Sequence, residues 1–281
     1  MFGSGISVIL LGLASALSWG AGDFNGGLAS KRTSVYSVVV LSQFVSLVLL
    51  VLSAVLIPEG DNSLRDIALG GIAGVCGAAG LVALYSGLAR GPMGVVAPVT
   101  AVAAAIVPVI FSILSEGLPA LEVFAGFIIA FNTVWLISQG GQEAKIHLSD
   151  LRLPIFAGFG FGIFFILIDR VSSNAILWPL VSARSASILV VFIVGMLSRN
   201  IELPVLPRLP IIALAGIFDT GGNIFFALAT RVGRLDISAI LGSLYPAATV
   251  VLAWIILKER LALRQWIGIL LALVAVILIA I

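Results

Sequence analysis

Ten long apolar stretches dominate this chain, at residues 6–29, 35–57, 67–89, 93–114, 118–138, 153–168, 175–197, 209–230, 237–257 and 262–281. A helix rises about 1.5 Å per residue and the hydrocarbon core of a bilayer is about 30 Å thick, so stretches of this length predict membrane-spanning helices. Strands of a membrane barrel would alternate apolar and polar positions. Runs such as Ile267 to Ile281 are continuously apolar instead. Turn and charge clusters part the runs, among them Lys31-Arg32-Thr33, Pro58 to Asn62, Gly140 to Arg152 and Ser198 to Arg208. The first run lacks a positive segment ahead of it, and its Asp23 and Asn25 suit a retained helix better than a removed leader.

Composition closes off the other classes. Hydrophobic residues make up 61% of the chain and charged ones 10%, whereas soluble domains carry about 25% charge. The 15 basic and 13 acidic residues fall mostly in short loops and offer no basic face to nucleic acid. One cysteine excludes a disulfide framework or a multi-cysteine metal cluster. Cys76 lies in an apolar run and His147 in the central loop, so neither a Cys/His dyad nor a metal site is expected, nor any cofactor. The phosphate-binding pattern Gly-x-x-x-x-Gly-Lys-Ser/Thr is absent, which excludes an intrinsic ATPase. Thirty glycines include pairs four apart, at Gly22 and Gly26, Gly70 and Gly74, and Gly158 and Gly162, the spacing that lets helices pack closely.

The runs divide five and five around residues 139–152, giving a first unit over 1–138 and a second over 153–281. A shift of about 142 residues sets Ala73-Gly74 on Ala215-Gly216, Gly80 on Gly222 and Ser115-Glu116-Gly117 on Lys258-Glu259-Arg260. Nearer the starts, shifts of 146 and 141 set Asp23 on Asp169 and Gln43 on Arg184. An odd number of spans per unit turns the second unit upside down relative to the first. That is the inverted-repeat plan of secondary transporters, with a substrate site near the midplane.

Several segments carry a family resemblance. Leu17-Ser18-Trp19-Gly20 in the first run, Gly91-Pro92-Met93-Gly94-Val95-Val96-Ala97-Pro98 at the fourth, and Tyr245-Pro246, Leu257-Lys258-Glu259-Arg260-Leu261 and Trp266-Ile267-Gly268 in the last two resemble the EamA-type members of the drug/metabolite transporter superfamily. The resemblance covers the whole chain and implies an all-α membrane protein of ten helices in two inverted five-helix repeats. It also implies export of a small metabolite, amino acid or drug by alternating access, in a prokaryotic plasma membrane. Ala103 departs from the pattern where a counterpart of Pro246 is expected, and Ser115-Glu116-Gly117-Leu118 lacks the usual Arg.

The expected partners are a small-molecule substrate, the lipid bilayer and a proton or other coupling ion. A monomer and a homodimer both fit. Lys and Arg favour the loops after odd-numbered spans, which places both termini outside the cytoplasm; the resemblance implies both inside.

Charges inside the spans mark the candidate site. An Arg or Asp at a helix centre costs about 2.5–3.5 kcal/mol on insertion scales, so Arg184 and Asp219 should face the bundle interior or a wet cavity. There they would hold the polar part of a substrate, or pair with each other to fix packing. Asn223 lies one turn beyond Asp219 on the same helix face, and Asp23 is a further candidate for the cavity wall, or caps toward Asn25. Trp19 and Tyr245 lie deep enough to hold an apolar or planar part of the substrate. Tyr85 and Trp178 are weaker aromatic candidates, and Trp178 and Trp266 lie near span ends, where aromatic belts form. Pro98 and Pro246 are candidate hinges, with Pro108 and Pro179 as further interruptions. Asp169 and Arg170 read as interfacial and Glu116 and Glu259 as loop anchors. Gln43, Asn132 and Gln139 suit hydrogen bonds between helices. Two other classes fit parts of the sequence. A passive pore would also be all-helical. Gly20-Ala21-Gly22-Asp23 together with Asp219 resembles the carboxylate pair of an intramembrane aspartyl protease, although the order of its motifs is reversed.

Overall fold

The computed structural model describes residues 2–60, 63–90, 93–138, 151–172, 174–202, 204–258 and 262–280. Among them the chain is helical and has no strand. The helices are α1 (Phe2–Ser30), α2 (Val35–Leu56), α3 (Leu64–Arg90), α4 (Met93–Glu116), α5 (Leu121–Ser138), α6 (Arg152–Asp169), α7 (Leu177–Leu197), α8 (Leu209–Val232), α9 (Leu235–Gly242), α10 (Tyr245–Leu257) and α11 (Leu263–Ala280). Eight segments of the described residues are long and apolar enough to cross a membrane, and Leu121–Leu136 is a shorter apolar helix. Gly91, Pro92, the loop 139–150 with Gln139 and His147, and Glu259-Arg260-Leu261 lie outside the described residues, so the division of the chain at 139–152 does too, apart from its last two positions.

The ninth run departs from the expected single helix over 237–257: α9 ends at Gly242 and α10 begins at Tyr245. Pro246 explains the break, because it has no N–H to give and its ring would press on the carbonyl four residues back, at Gly242. Ser243 and Leu244 turn the chain there, with Ser243 N–H bonded to the Ala239 carbonyl and Leu244 N–H to that of Leu241. Pro98 behaves otherwise. Both Pro98 and Pro108 lie inside α4, which runs on unbroken past them, so only one of the two expected hinges coincides with an interruption.

Close helix packing follows the small residues. Gly70 and Gly74 of α3 sit against the backbone of Pro179 and Ala183 in α7, and Gly158 and Gly162 of α6 against α4 at Ala103 and Val107. In α1, Gly22 faces the backbone of Ala215 and Asp219, while Gly26 receives the ring of Tyr85. Hydroxyls tie the same contact together: Ser15 donates to the Gly222 carbonyl at 2.9 Å and Ser18 to that of Phe218 at 2.7 Å. Helix α1 thus packs along α8, α3 along α6 and α7, α2 along α7 and α8, and α4 along α6. Helices α5 and α11 pack on each other, and α5 turns Phe124, Ile128 and Trp135 outward.

These contacts come in reciprocal pairs. A side chain on Gly74 would run into the Ala183 carbonyl, and one on Gly216 into the Ser42 carbonyl; one on Gly80 would meet the Phe161 ring, and one on Gly222 the Trp19 ring. A shift of 142 residues carries Gly74 to Gly216, Gly80 to Gly222 and Trp19 to Phe161, and a shift of 141 carries Ser42 to Ala183. Each member of a pair therefore meets the counterpart of what the other meets, as two-fold related repeats require. The register through α1 and α6 is 142, so Asp23 corresponds to Phe165 and not to Asp169. Asp169 lies at the end of α6 beside Arg170, 3.8 Å away.

Candidate functional site

The reciprocal packing leaves a cavity of about 50 Å³ among α1, α2, α3, α6, α7, α8 and the start of α10. It holds a few waters at most, since one water needs roughly 10–15 Å³ on this measure. Five of the six expected binding residues owe their place to the long helices: Trp19 and Asp23 on α1, Arg184 on α7, and Asp219 and Asn223 on α8. Tyr245 opens α10 just past the break, and its hydroxyl donates to the Ala97 carbonyl of α4 at 3.1 Å. All six line the cavity. None of the residues that line the cavity belongs to helix α4.

One polar network crosses the cavity. Arg184 Nη2 lies 2.8 Å from Asp219 Oδ2. Its Nη1 donates to Gln43 Oε1 at 2.6 Å, and its Nε to Ser46 Oγ at 3.0 Å. Gln43 Nε2 donates to Asp219 Oδ2 at 3.0 Å, closing a ring of three side chains from α2, α7 and α8. Asn223 Nδ2 donates to Asp219 Oδ1 at 3.0 Å, and Thr220 Oγ1 lies 2.7 Å from Ser46 Oγ. A buried ion pair needs hydrogen bonds to offset its lost hydration, and the Gln43 amide and the Ser46 hydroxyl of α2 supply several of them here. Gln43 thus has the interhelical role its sequence suggests and lines the cavity as well. Its pairing with Arg184 in the repeat was the one sequence signal pointing to it.

Asp23 differs from Asp219. It is 9% exposed, lines the cavity, and has no hydrogen-bond or ion-pair partner among the described residues. It does not meet Asn25, whose amide donates to the Ala21 carbonyl of its own helix. The two carboxylates suggested by the protease-like motif share the cavity, but Asp219 is committed to Arg184 and Gln43.

The apolar wall is aromatic. Trp19 stacks on Phe165 at 5.3 Å between centroids, and Phe165 lies 4.4 Å from Phe226. Phe161, Phe164 and Phe165 line the cavity beside Trp19. Nothing in an apolar run of α6 distinguishes these phenylalanines from lipid-facing ones, and sequence reasoning missed them. Tyr85 is not on the wall: it is buried under Gly26. Asn132 is not an interhelical bridge either, since it is exposed and donates to the Ile128 carbonyl of its own helix. Trp266 is exposed and packs edge-on against Trp254 at 5.3 Å.

Both ends of the helical bundle are tied by contacts between distant segments. At one end the Glu59 carboxylate accepts the N–H groups of Ile176 and Leu177 at 3.0 and 2.8 Å, and Asp66 accepts that of Ser172 at 2.9 Å. Arg234 joins this end, 2.9 Å from Asp236 and 3.8 Å from Glu116, which makes Glu116 the loop anchor expected. At the other end Glu202 N–H donates to Ser37 Oγ at 2.9 Å, Ser34 donates to the Asn200 carbonyl, and Arg208 donates to the Arg32 carbonyl. No group of His, Cys, Asp or Glu among the described residues is arranged to hold a metal ion.

Comparison with known proteins agrees with this architecture. One solved crystal structure superposes with a TM-score of 0.77 over 97% of this chain and 96% of that one, at 12% identity, a likeness of fold. No curated protein matches the chain. Residues 151–281 match the EamA-like transporter family. The matched residues span α6 to α11 and carry Arg184, Asp219, Asn223 and Tyr245, so the second part of this multi-pass, all-helical chain is similar to the EamA-like transporters.

Proposed function

We propose that this protein is a secondary transporter of small organic solutes, working by alternating access around the central cavity. The observation that carries this reading is the Arg184–Asp219–Gln43 network at a cavity between reciprocally packed helices. Intramembrane charges are expensive and are retained at substrate and ion pathways. A cavity at the interface of repeats is where inverted-repeat transporters hold substrate. Contacts between distant segments at both ends of the bundle favour alternating exposure over a continuous passive pore. An aspartyl protease needs two carboxylates sharing one proton, which the commitment of Asp219 to Arg184 does not suit. The resemblance favours efflux across a prokaryotic plasma membrane.

Profiling small metabolites in the medium of cells expressing the wild type or Asp219→Asn, at matched protein levels, tests this reading. A solute enriched by the wild type alone is the expected result. Equal enrichment by both would remove Asp219 from the transport site.

A further inference from the structure

The central network turns its charged and amide donors on its own members, while two acceptors at the cavity stand without a donor. Arg184 directs Nε, Nη1 and Nη2 at Ser46, Gln43 and Asp219, and Gln43 and Asn223 direct their amide N–H groups at Asp219. The acceptors left over are the Asp23 carboxyl and Asn223 Oδ1. Neither has a hydrogen-bond donor among the described residues, and both residues line the cavity. Asp23 is more than nine-tenths buried, and a carboxylate so placed needs a counter-charge or hydrogen bonds to offset its lost hydration. With Arg184 and Asp219 cancelling, an ionised Asp23 leaves the cavity one positive charge short. The wall also holds the aromatic rings of Trp19, Phe164 and Phe165, residue types whose π-systems attract cations.

From this imbalance we infer that the substrate carries an ammonium group, bound by the Asp23 carboxylate and Asn223 Oδ1 against the aromatic wall, with the Arg184–Asp219 pair left intact. An ammonium supplies three donors and one positive charge, which is what the two acceptors lack. A free carboxylic acid would instead have to displace Asp219 from Arg184 while adding a second negative charge. The cavity of about 50 Å³ suits a compact amine, and a larger one requires the bundle to open. This inference rests on the reading of the cavity as the transport site.

Thermal unfolding of the purified full-length protein in detergent, with ethylammonium, acetate or glycine added, tests it independently of transport. Ligand bound to the folded state raises the Tm in proportion to its affinity. The expected result is a saturable rise with ethylammonium and none with acetate. Asp23→Asn should weaken ethylammonium binding by at least about tenfold, as loss of a charged hydrogen bond does, and Asp23→Glu should retain it. A rise with acetate, a rise with glycine but not ethylammonium, or unchanged ethylammonium affinity in Asp23→Asn would overturn the inference. The first two outcomes need no variant to fold. Solute export by the wild type without ethylammonium binding would defeat the ammonium assignment alone, and ethylammonium binding without export would defeat the transport reading alone.

Discussion

The two faces of the central cavity share a scaffold and differ in chemistry. A shift of 142 residues carries Asp23 to Phe165, Gly77 to Asp219 and Leu81 to Asn223, and a shift of 141 carries Gln43 to Arg184; all eight positions line the cavity. Where one face has a carboxylate or an amide, the other has a ring, a glycine or a leucine. Only Gln43 and Arg184 are polar on both sides, and they touch. Backbone packing is repeated because both interfaces need helices at close approach, and a glycine at each contact allows that. On the proposed transport reading, side chains are not repeated because a cavity that binds one solute has use for one charged cluster.

Breaking the ion pair should have the largest effect on this asymmetry. Arg184→Gln leaves Asp219 buried without its cation and should destabilise the protein by about 3–5 kcal/mol. The matched change Gln43→Leu removes only a neutral bridge and should cost about 1–3 kcal/mol. Denaturation followed by the size-exclusion profile of the detergent-solubilised protein ranks the two, and an equal cost would mean that the faces are chemically equivalent. The shared scaffold makes the opposite prediction for the glycines. Gly74→Ala and Gly216→Ala each push a Cβ into a carbonyl of the facing helix, so each should cost about 1–3 kcal/mol and lower the Tm by similar amounts. A large disparity between them would break the reciprocal packing.

The smallest effect separates two matched serines. Ser46 Oγ lies 3.0 Å from Arg184 Nε and 2.7 Å from Thr220 Oγ1. Ser187, its counterpart at a shift of 141, is buried with no hydrogen-bond partner for its hydroxyl among the described residues. Ser46→Ala should lower stability by about 1–3 kcal/mol, and Ser187→Ala should be neutral or stabilising, because it removes an unpaired buried hydroxyl. The same denaturation measurement reads both, and a costlier Ser187→Ala would reverse the assignment of the network to one face.

Much of the scaffold was legible in the sequence because its determinants are local. Run length set the spans, Gly74 and Gly216 set the tight contacts, and Pro246 marked a candidate hinge, though not that the ninth span would part into two helices. Charge in an apolar run exposed Arg184 and Asp219, since no bland reading tolerates them in lipid. The aromatic wall stayed hidden, because Phe161, Phe164 and Phe165 look the same in sequence whether they face lipid or a cavity. Asp23 was legible as a charge but not as an unpaired one. Partnership depends on what α2, α7 and α8 bring from far along the chain, and spacing within α1 carries no trace of it.

The central claim is that the charged pair serves transport as well as packing. Neutralising both partners in one protein, Arg184→Gln with Asp219→Asn, separates the roles, because replacing a whole buried pair costs far less stability than removing one partner. Cells expressing this double variant at wild-type levels should be profiled for exported small solutes. A folded double variant that no longer enriches the wild-type solute in the medium is the result predicted here. Export at the wild-type level would contradict it.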